Sequence, residues 1–182
     1  MEVPQSSDAA VKLFCKRNGF HKPKRVAVSP VGGFEASNCF PNVKKMVAEH
    51  GGSESNGWII WRAPKLFLEA EHHCVWEAPS GQLLDVTPKF RGEAEILFAP
   101  QPELGFDYEN LKFQLSRYLN LSGSPFVDAM TAISLQRQEM MTKNAFIEAD
   151  QMKTFFDQQE ADRLLSNMRE LLVLAQREAG II

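Results

Sequence analysis

The sequence predicts an α+β protein whose front half mixes strands with a short helix and whose back half is helical. Gly and Pro interrupt the first half about every ten residues and become rare after about Asp107. Aromatic and β-branched residues form short runs in the first half, and apolar residues recur at helical spacing in the second. We therefore expect a core over residues 1–100 and a helical extension over residues 101–182, packed on that core.

One helix and three strands are expected in the core. Pro41 occupies a helix-start position and Gly51 follows the end of the segment, which predicts a helix over residues 41–50. Its core-facing side chains would be Val43, Met46 and Val47. Strands are expected over residues 57–61, 66–77 and 82–86. Turn residues at positions 79–81 predict that the last two strands form an antiparallel hairpin.

Three helices are expected in the extension. Two are predicted over residues 108–120 and 126–138, the first from the spacing of its apolar residues. The last would begin after Asp157, with Glu160 completing a capping box, and end at Gly180. It carries an apolar stripe of Leu164, Leu165, Met168, Leu171, Leu172 and Ala175. The stripe could pack on the core or seal a homodimer.

Composition argues against nucleic-acid and membrane partners. The formal charge is 20 − 23 = −3 and the pI is near 5.8, so no global positive field attracts polyanions. A local basic run is expected to be a solvated face: Lys12, Lys16, Arg17, Lys22, Lys24 and Arg25. The chain contains neither a membrane-length apolar run nor a signal-peptide pattern at its start, which predicts a cytoplasmic protein.

Cys39 is the candidate nucleophile among three cysteines. An odd number of Cys at wide spacing, at positions 15, 39 and 74, is not a disulfide framework. Cys39 stands immediately before the predicted helix over residues 41–50. Unpaired backbone N–H groups at a helix start stabilise anions, which favours a reactive thiolate and can also hold an oxyanion.

A histidine pair and an aspartate on neighbouring predicted strands supply the matching base. Strand alternation places His73 on one face with Glu71, and His72 on the other face with Cys74. Asp85 lies in an otherwise apolar strand, where a charge needs a partner, and a histidine on the adjacent strand can provide it. A carboxylate bonded to imidazole fixes its tautomer and stabilises the imidazolium.

These motifs resemble the transglutaminase-like branch of the papain-like cysteine enzymes. The resemblance lies within residues 34–88: a helix-opening Cys, a strand with His followed closely by Trp, a Gly turn, and a strand ending Asp-x-Thr-Pro. It implies a papain-like core in which a helix bearing Cys packs on an antiparallel sheet. It further implies that Cys39 is the nucleophile, His73 the general base and Asp85 its orienting partner, with no cofactor and no metal.

The sequence departs from the family pattern at its tryptophan. The family often has Trp two residues after the His, whereas Trp76 follows His73 by three residues and His72 by four. Both histidines therefore remain candidates for the base, and His73 is preferred. The residues of the calcium site in larger transglutaminases are not visible in the sequence.

Further residues are expected around the triad. Asn38 could cap the helix or donate to the oxyanion, Asn42 could donate to substrate or be a solvent-exposed first-turn residue, and Trp58 could line the cleft or belong to the core. His72, Glu71 and Trp76 are expected to pack around the triad and to hold its side chains in place without reacting themselves.

The predicted function is acyl transfer through a thioester. The substrate would be an amide or ester in a protein, a peptide or a small molecule, and water or an amine would resolve the intermediate. One alternative is a non-catalytic binding module that acts through its helical back half. Another is a zinc-binding protein that uses Cys39, His72, His73 and Cys74.

Overall fold

The chain forms a mixed α+β structure in a computed structural model that describes residues 1–143, 145–148, 151–154 and 157–182. Within these ranges the elements are α1 (Ala9–Asn18), β1 (Lys24–Val28), α2 (Cys39–His50), β2 (Ser53–Ala63), β3 (Phe67–Glu77), β4 (Leu83–Asp85), β5 (Glu95–Pro100), β6 (Arg117–Asn120), α3 (Pro125–Lys143), β7 (Ala145–Glu148), β8 (Gln151–Thr154) and α4 (Gln158–Glu178). The α+β class predicted from the sequence is therefore confirmed.

Strands β1 to β5 close into a barrel. Their order is β2-β5-β1-β4-β3, and β3 pairs back onto β2 along its whole length. Only β1 and β4 run parallel; the other pairs of the barrel are antiparallel. Where β2 meets both β3 and β5, Gly57 is required, because a Cβ there would lie 2.2 Å from the carbonyl oxygen of Ala99. Strand β6 pairs with the first half of β3, outside the barrel.

Alternate residues of the strands fill the barrel and cover its outside. Ile59, Val75 and Phe98 pack together in the interior with Val26 and Ile96. On the outer face, Cys74 and Val86 pack against the buried side chains of α2, which are Cys39, Phe40, Val43 and Met46. The alternation predicted for the strand around His73 is therefore confirmed, as is the hairpin between β3 and β4.

The two long helices of the back half pack together and onto the start of β3. Helix α4 begins after Asp157, whose carboxylate accepts from the N–H groups of Gln159 and Glu160. Its apolar stripe packs against Phe67 and against Val127 and Met130 of α3. The helix predicted before Gly180 and its Asp157 cap are thus confirmed, and its stripe packs within the chain. Glu160 does not complete the predicted capping box, because its carboxylate accepts from Arg163 instead. None of the described helices is long and apolar enough to cross a membrane.

The helix predicted over residues 108–120 is wrong. The Asp107 carboxylate accepts from the N–H groups of Glu109 and Asn110, which stabilises a turn, and Leu111 has a φ of 50°. The chain then runs extended into β6. Of the apolar residues at helical spacing, Tyr118 and Leu119 lie in β6 and pack in two different clusters, Tyr118 with α3 and α4 and Leu119 beside α1. The extension consequently adds strands as well as helices.

Three elements of the front half have weak sequence signals and were not expected: α1, β1 and β5. Helix α2 starts at Cys39, two residues earlier than predicted, which is compatible with Pro41 because a first-turn residue needs no N–H partner. Lys12, Lys16 and Arg17 are exposed on α1, as expected for a solvated face.

Candidate active site

Cys39 is the first residue of α2 and lies against the barrel. It is 6% exposed and lines a large cavity. Within the first turn, Cys39 and Phe40 carry backbone N–H groups that no helical carbonyl can accept, whereas Pro41 has none. The helix start therefore presents two donors and the positive end of the helix dipole beside the thiol. This arrangement favours negative charge at that point.

His73 and Asp85 form a buried pair on adjacent strands. The antiparallel pairing of β3 with β4 brings them together, and Nε2 of His73 donates to Oδ2 of Asp85 at 3.0 Å. His73 is 3% exposed and Asp85 is fully buried. The other carboxylate oxygen of Asp85 accepts from the N–H of Thr87 at 3.1 Å. Nδ1 is the ring nitrogen of His73 that remains for a second partner.

Lys89 joins this pair and was not expected from the sequence. Its Nζ lies 2.6 Å from Oδ2 of Asp85 and 3.5 Å from Nε2 of His73. The Lys89 side chain is only 10% exposed. The signal that could have found it is its position four residues after a buried carboxylate that needs a cation. The site therefore contains two positive groups around one carboxylate.

The charges around His73 oppose one another. Burial and the ammonium group of Lys89 lower the pKa of His73, but the charges of Asp85 and Cys39 outweigh them and raise this pKa to about 9. Burial acts against ionisation of Asp85, yet His73 and Lys89 hold its pKa at about 2. At neutral pH the group is therefore an imidazolium and an ammonium sharing a carboxylate.

His72 lies on the opposite face of β3 and is neutral. Its Nδ1 accepts from the N–H of Gln114 at 3.2 Å, and its ring packs between Phe40 and Trp58. Burial, reinforced by the charge of His73, lowers its pKa to about 4. Since Asp85 contacts His73, the geometry favours His73 as the base and leaves His72 as a packed neighbour of α2.

A cavity of about 840 Å³ connects the Cys39 and His73 positions with the back half of the chain. One wall is the barrel, from which Trp61, Glu69 and Glu71 reach the cavity. The opposite wall comes from α3 and β8, with lining residues that include Ser134, Arg137, Gln138, Met141, Met152 and Lys153. The extension thus forms half of the chamber around the candidate nucleophile.

Two of the predicted oxyanion or substrate residues, Asn42 and Trp58, do not reach the cavity. Asn42 is 1% exposed and donates to the carbonyl of Glu35 and to the hydroxyl of Thr87, so it is neither solvent-exposed nor a cavity residue. Trp58 is buried in the core beside α1, and its indole donates to Gln101. Both side chains hold elements together rather than face the cavity.

Asn38 does line the cavity, at the N-cap position of α2. Its side chain makes no capping bond to the helix; its carbonyl oxygen instead accepts from the N–H of Met152 at 2.7 Å. The amide group of Asn38 is thus the point at which β8 is attached beside Cys39.

The remaining supporting residues divide between the cavity and the surface. Glu71 is exposed at the cavity and accepts from the indole of Trp61 at 3.0 Å. Trp76 is half-buried against α2 and donates to the carbonyl of Gly51, away from the cavity.

The four residues proposed as zinc ligands do not share one site, because their side chains have different partners. His73 bonds Asp85, His72 bonds a backbone N–H, and Cys74 is buried beneath α2, where burial raises the pKa of its thiol. Among the described residues, no three His, Cys, Asp or Glu side chains are grouped as a metal ion requires. Cys15 is also buried, and burial raises its pKa as well.

Comparisons of the chain with protein-family models, with curated protein sequences and with solved structures found no significant match.

Proposed function

We propose that this protein is a cysteine-dependent hydrolase or acyltransferase that acts on an amide or ester through a thioester. The observation that carries the proposal is the arrangement at one end of a single cavity. Cys39 opens α2 there, and His73 lines the same cavity while its Nε2 is bonded to Asp85. Nucleophile, base and orienting carboxylate are the three parts that thiol acyl chemistry needs.

The reaction begins from an ion pair in which the proton of the Cys39 thiol is already held on Nδ1 of His73, as the raised pKa of this imidazole favours. The thiolate attacks the substrate carbonyl, and the N–H groups of Cys39 and Phe40 hold the oxyanion that develops. When the tetrahedral intermediate collapses, the C–N or C–O bond breaks and the imidazolium protonates the leaving group. Water or an amine, deprotonated by His73, then attacks the thioester and releases the free thiol.

Asp85 and Lys89 have opposite effects on this proton transfer. The carboxylate stabilises the imidazolium that forms when the thiol ionises, whereas the ammonium group destabilises it. A base that is held too strongly in the protonated state protonates a leaving group poorly. Lys89 therefore moderates the basicity of His73 so that the imidazole can both accept and return the proton.

We further propose that the core is related to the papain-like and transglutaminase-like folds. A helix that carries Cys at its start packs on a sheet whose neighbouring antiparallel strands carry His and Asp, in the order Cys, His, Asp along the chain. The closed barrel, with its parallel β1–β4 pair, is an addition to the arrangement expected from the resemblance.

Alkylation of the native protein tests the proposed function. Iodoacetamide is applied from about pH 5 to about pH 9, and labelling of Cys39, Cys15 and Cys74 is compared by mass spectrometry. We expect Cys39 to react fastest below pH 7 and to lose that advantage in His73→Ala. His50→Ala, which removes an exposed histidine, is the matched control and should change nothing. Equal reactivity of the three thiols, or unaltered labelling in His73→Ala, would refute the proposal.

A further inference from the structure

Arg137 is a cationic residue of the cavity that has no polar partner among the described residues. The other cationic side chains that line the cavity are engaged: Lys89 with Asp85, Arg91 with the carbonyl of Met1, and Lys153 with Glu148. Arg137 forms neither a hydrogen bond nor an ion pair with any described residue, and its Nε is buried. A buried N–H donor without an acceptor costs free energy, because the group has lost its hydrogen bonds to water. A ligand that supplies an acceptor to Arg137 would recover that free energy.

The neighbours of Arg137 on α3 have already used their polar groups. Ser134 and Gln138 share its cavity-facing side of the helix, and they are linked to Ser116 and to the hydroxyl of Tyr118. This network is satisfied within the protein. On that face of α3, the guanidinium of Arg137 is therefore the group that is available to bind a ligand.

The acids of the cavity do not neutralise Arg137. Glu69 accepts from Tyr118 at 2.7 Å, and burial raises the pKa of its carboxyl. Glu71 accepts from Trp61 on the barrel wall. No carboxylate of the described residues lies within the 4.0 Å of an ion pair with Arg137. Arg137 therefore lines the chamber together with Glu69, Glu71 and Glu93 and forms an ion pair with none of them.

We propose that Arg137 binds a carboxylate of the substrate, so that the protein acts on amides or esters that carry a free carboxylate. This inference rests on the proposed function, because it assigns a substrate class to the chamber of Cys39. A planar guanidinium binds a carboxylate with two parallel hydrogen bonds. Arg137 is the one cation that α3 contributes to its wall of the cavity, and a phosphate monoester carries more charge than a single arginine balances.

Matched pairs of alkylating probes test the assignment on the intact protein. Each pair is an N-iodoacetyl amino acid and its neutral primary amide, built on glycine, 4-aminobutyric acid or 6-aminohexanoic acid. Both members of a pair carry the same reactive group, so the ratio of their rates at Cys39 isolates the effect of the carboxylate. The three tethers place that carboxylate at increasing distances from the reacting carbon.

We expect the carboxylate to alkylate Cys39 about tenfold faster than its amide for at least one tether, as charge-assisted hydrogen bonds allow. Arg137→Gln should bring that ratio to about one, and Arg137→Lys should retain part of it because the charge remains. Arg169→Gln removes an exposed arginine that does not line the cavity, so it should leave the ratio unchanged. Thermal melting confirms that each variant is folded.

The outcomes separate this inference from the proposed function. Selective labelling of Cys39 by the neutral amides, with a ratio near one for every tether, leaves the proposed function intact and overturns the role of Arg137. A carboxylate preference that survives Arg137→Gln overturns it too. If the neutral amides do not label Cys39 selectively, the proposed function fails, and the inference fails with it.

Discussion

The Asp85 carboxylate accepts hydrogen bonds from three donors: His73, Lys89 and the N–H of Thr87. A buried carboxylate is stable only when its oxygens are partnered in this way. Because two of the donors are cations, the negative charge is shared between them. The protonation of His73 therefore depends on Lys89, although Lys89 stands outside the three-residue arrangement predicted from the sequence.

Replacing Lys89 with Met should raise the pKa of His73 further. The substitution removes a like charge 3.5 Å from Nε2, while the Asp85 carboxylate remains to stabilise the imidazolium. The measurement is an NMR titration of the His73 ring protons, assigned with His73→Gln. Lys89→Arg keeps the charge and should titrate near the wild type. A lower pKa in Lys89→Met would show that the carboxylate needs Lys89 in order to hold the imidazole.

Single residues were predictable where their own neighbours in sequence carried the signal. Cys39 before a helix, and His73 and Asp85 in apolar strands, each have a local pattern that points to chemistry. Asn42 has none, because its partner Thr87 lies 45 residues away and only the folded chain brings the two together. Lys89 was missed because its direction is set by the turn after β4, which the sequence does not specify.

At the scale of elements, β3 places two consecutive histidines in opposite environments. His73 is hydrogen-bonded to the carboxylate of Asp85. His72 lies on the face of β3 that is covered by α2, and its ring contacts the rings of Phe40 and Trp58. From the same ordinary value of 6.5, the first pKa is raised to about 9 and the second is lowered to about 4. Strand alternation alone therefore separates the two titrations.

The unfolding free energy should consequently depend on pH on both sides of 6.5. The raised pKa of His73 contributes stability that is complete below pH 6.5 and is lost as the pH rises through about 9. The lowered pKa of His72 contributes stability that is complete above pH 6.5 and is lost as the pH falls through about 4. Urea denaturation at a series of pH values measures both effects.

Substitutions of each histidine show which residue causes the alkaline loss of stability and which causes the acid loss. His73→Gln should flatten the alkaline loss of stability, and His72→Gln should flatten the acid loss, relative to the wild type. His50→Gln, which alters an exposed histidine, should leave the profile unchanged. An alkaline loss that persists in His73→Gln would mean that His73 is not the group that gains its charge on folding.

Elements were predictable where periodicity and caps agreed. Helix α4 has both an apolar stripe and the Asp157 cap, and it forms where expected. The segment over residues 108–120 has only the spacing, and it becomes a turn and a strand. In this segment the hydroxyl of Tyr108 donates a hydrogen bond to Glu54, and the hydroxyl of Tyr118, which lies in β6, donates one to Glu69 of β3. Tertiary contacts of this kind override a helical pattern that lacks caps.

At the scale of the whole molecule, closure of the barrel positions the site. Gly57 pairs with His73 on one side and with Pro100 on the other, at the place where β2 contacts both β3 and β5. The parallel pairing of β1 with β4 holds Asp85 against Val28. The pairings of β2 with β5 and of β1 with β4 have no local sequence signal, because each joins segments far apart in the chain. The sequence therefore predicts β2, β3 and β4, but not β1, β5 or the closed barrel.

Gly57→Ala should destabilise the protein by about 1–3 kcal/mol, the usual cost of overpacking. The added methyl group would meet the carbonyl of Ala99 at 2.2 Å and the ring of Phe98 at 2.8 Å, so β5 must move. Gly32→Ala is the matched control, since nothing lies within 4 Å of a Cβ there. Urea denaturation compares the two variants. Equal stability of both would contradict the closed pairing at Gly57.

The cavity is lined by residues far apart in the chain, from Met1 to Thr154. Chains are synthesised from the N-terminus, and domains form as they emerge from the ribosome. The elements that carry Cys39, His73 and Asp85 are complete by residue 100, whereas α3 and β8 follow later. During translation the thiol, imidazole and carboxylate therefore come together in an open groove. The chamber that screens access to them is completed only when α3 and β8, which ends at Thr154, have been made.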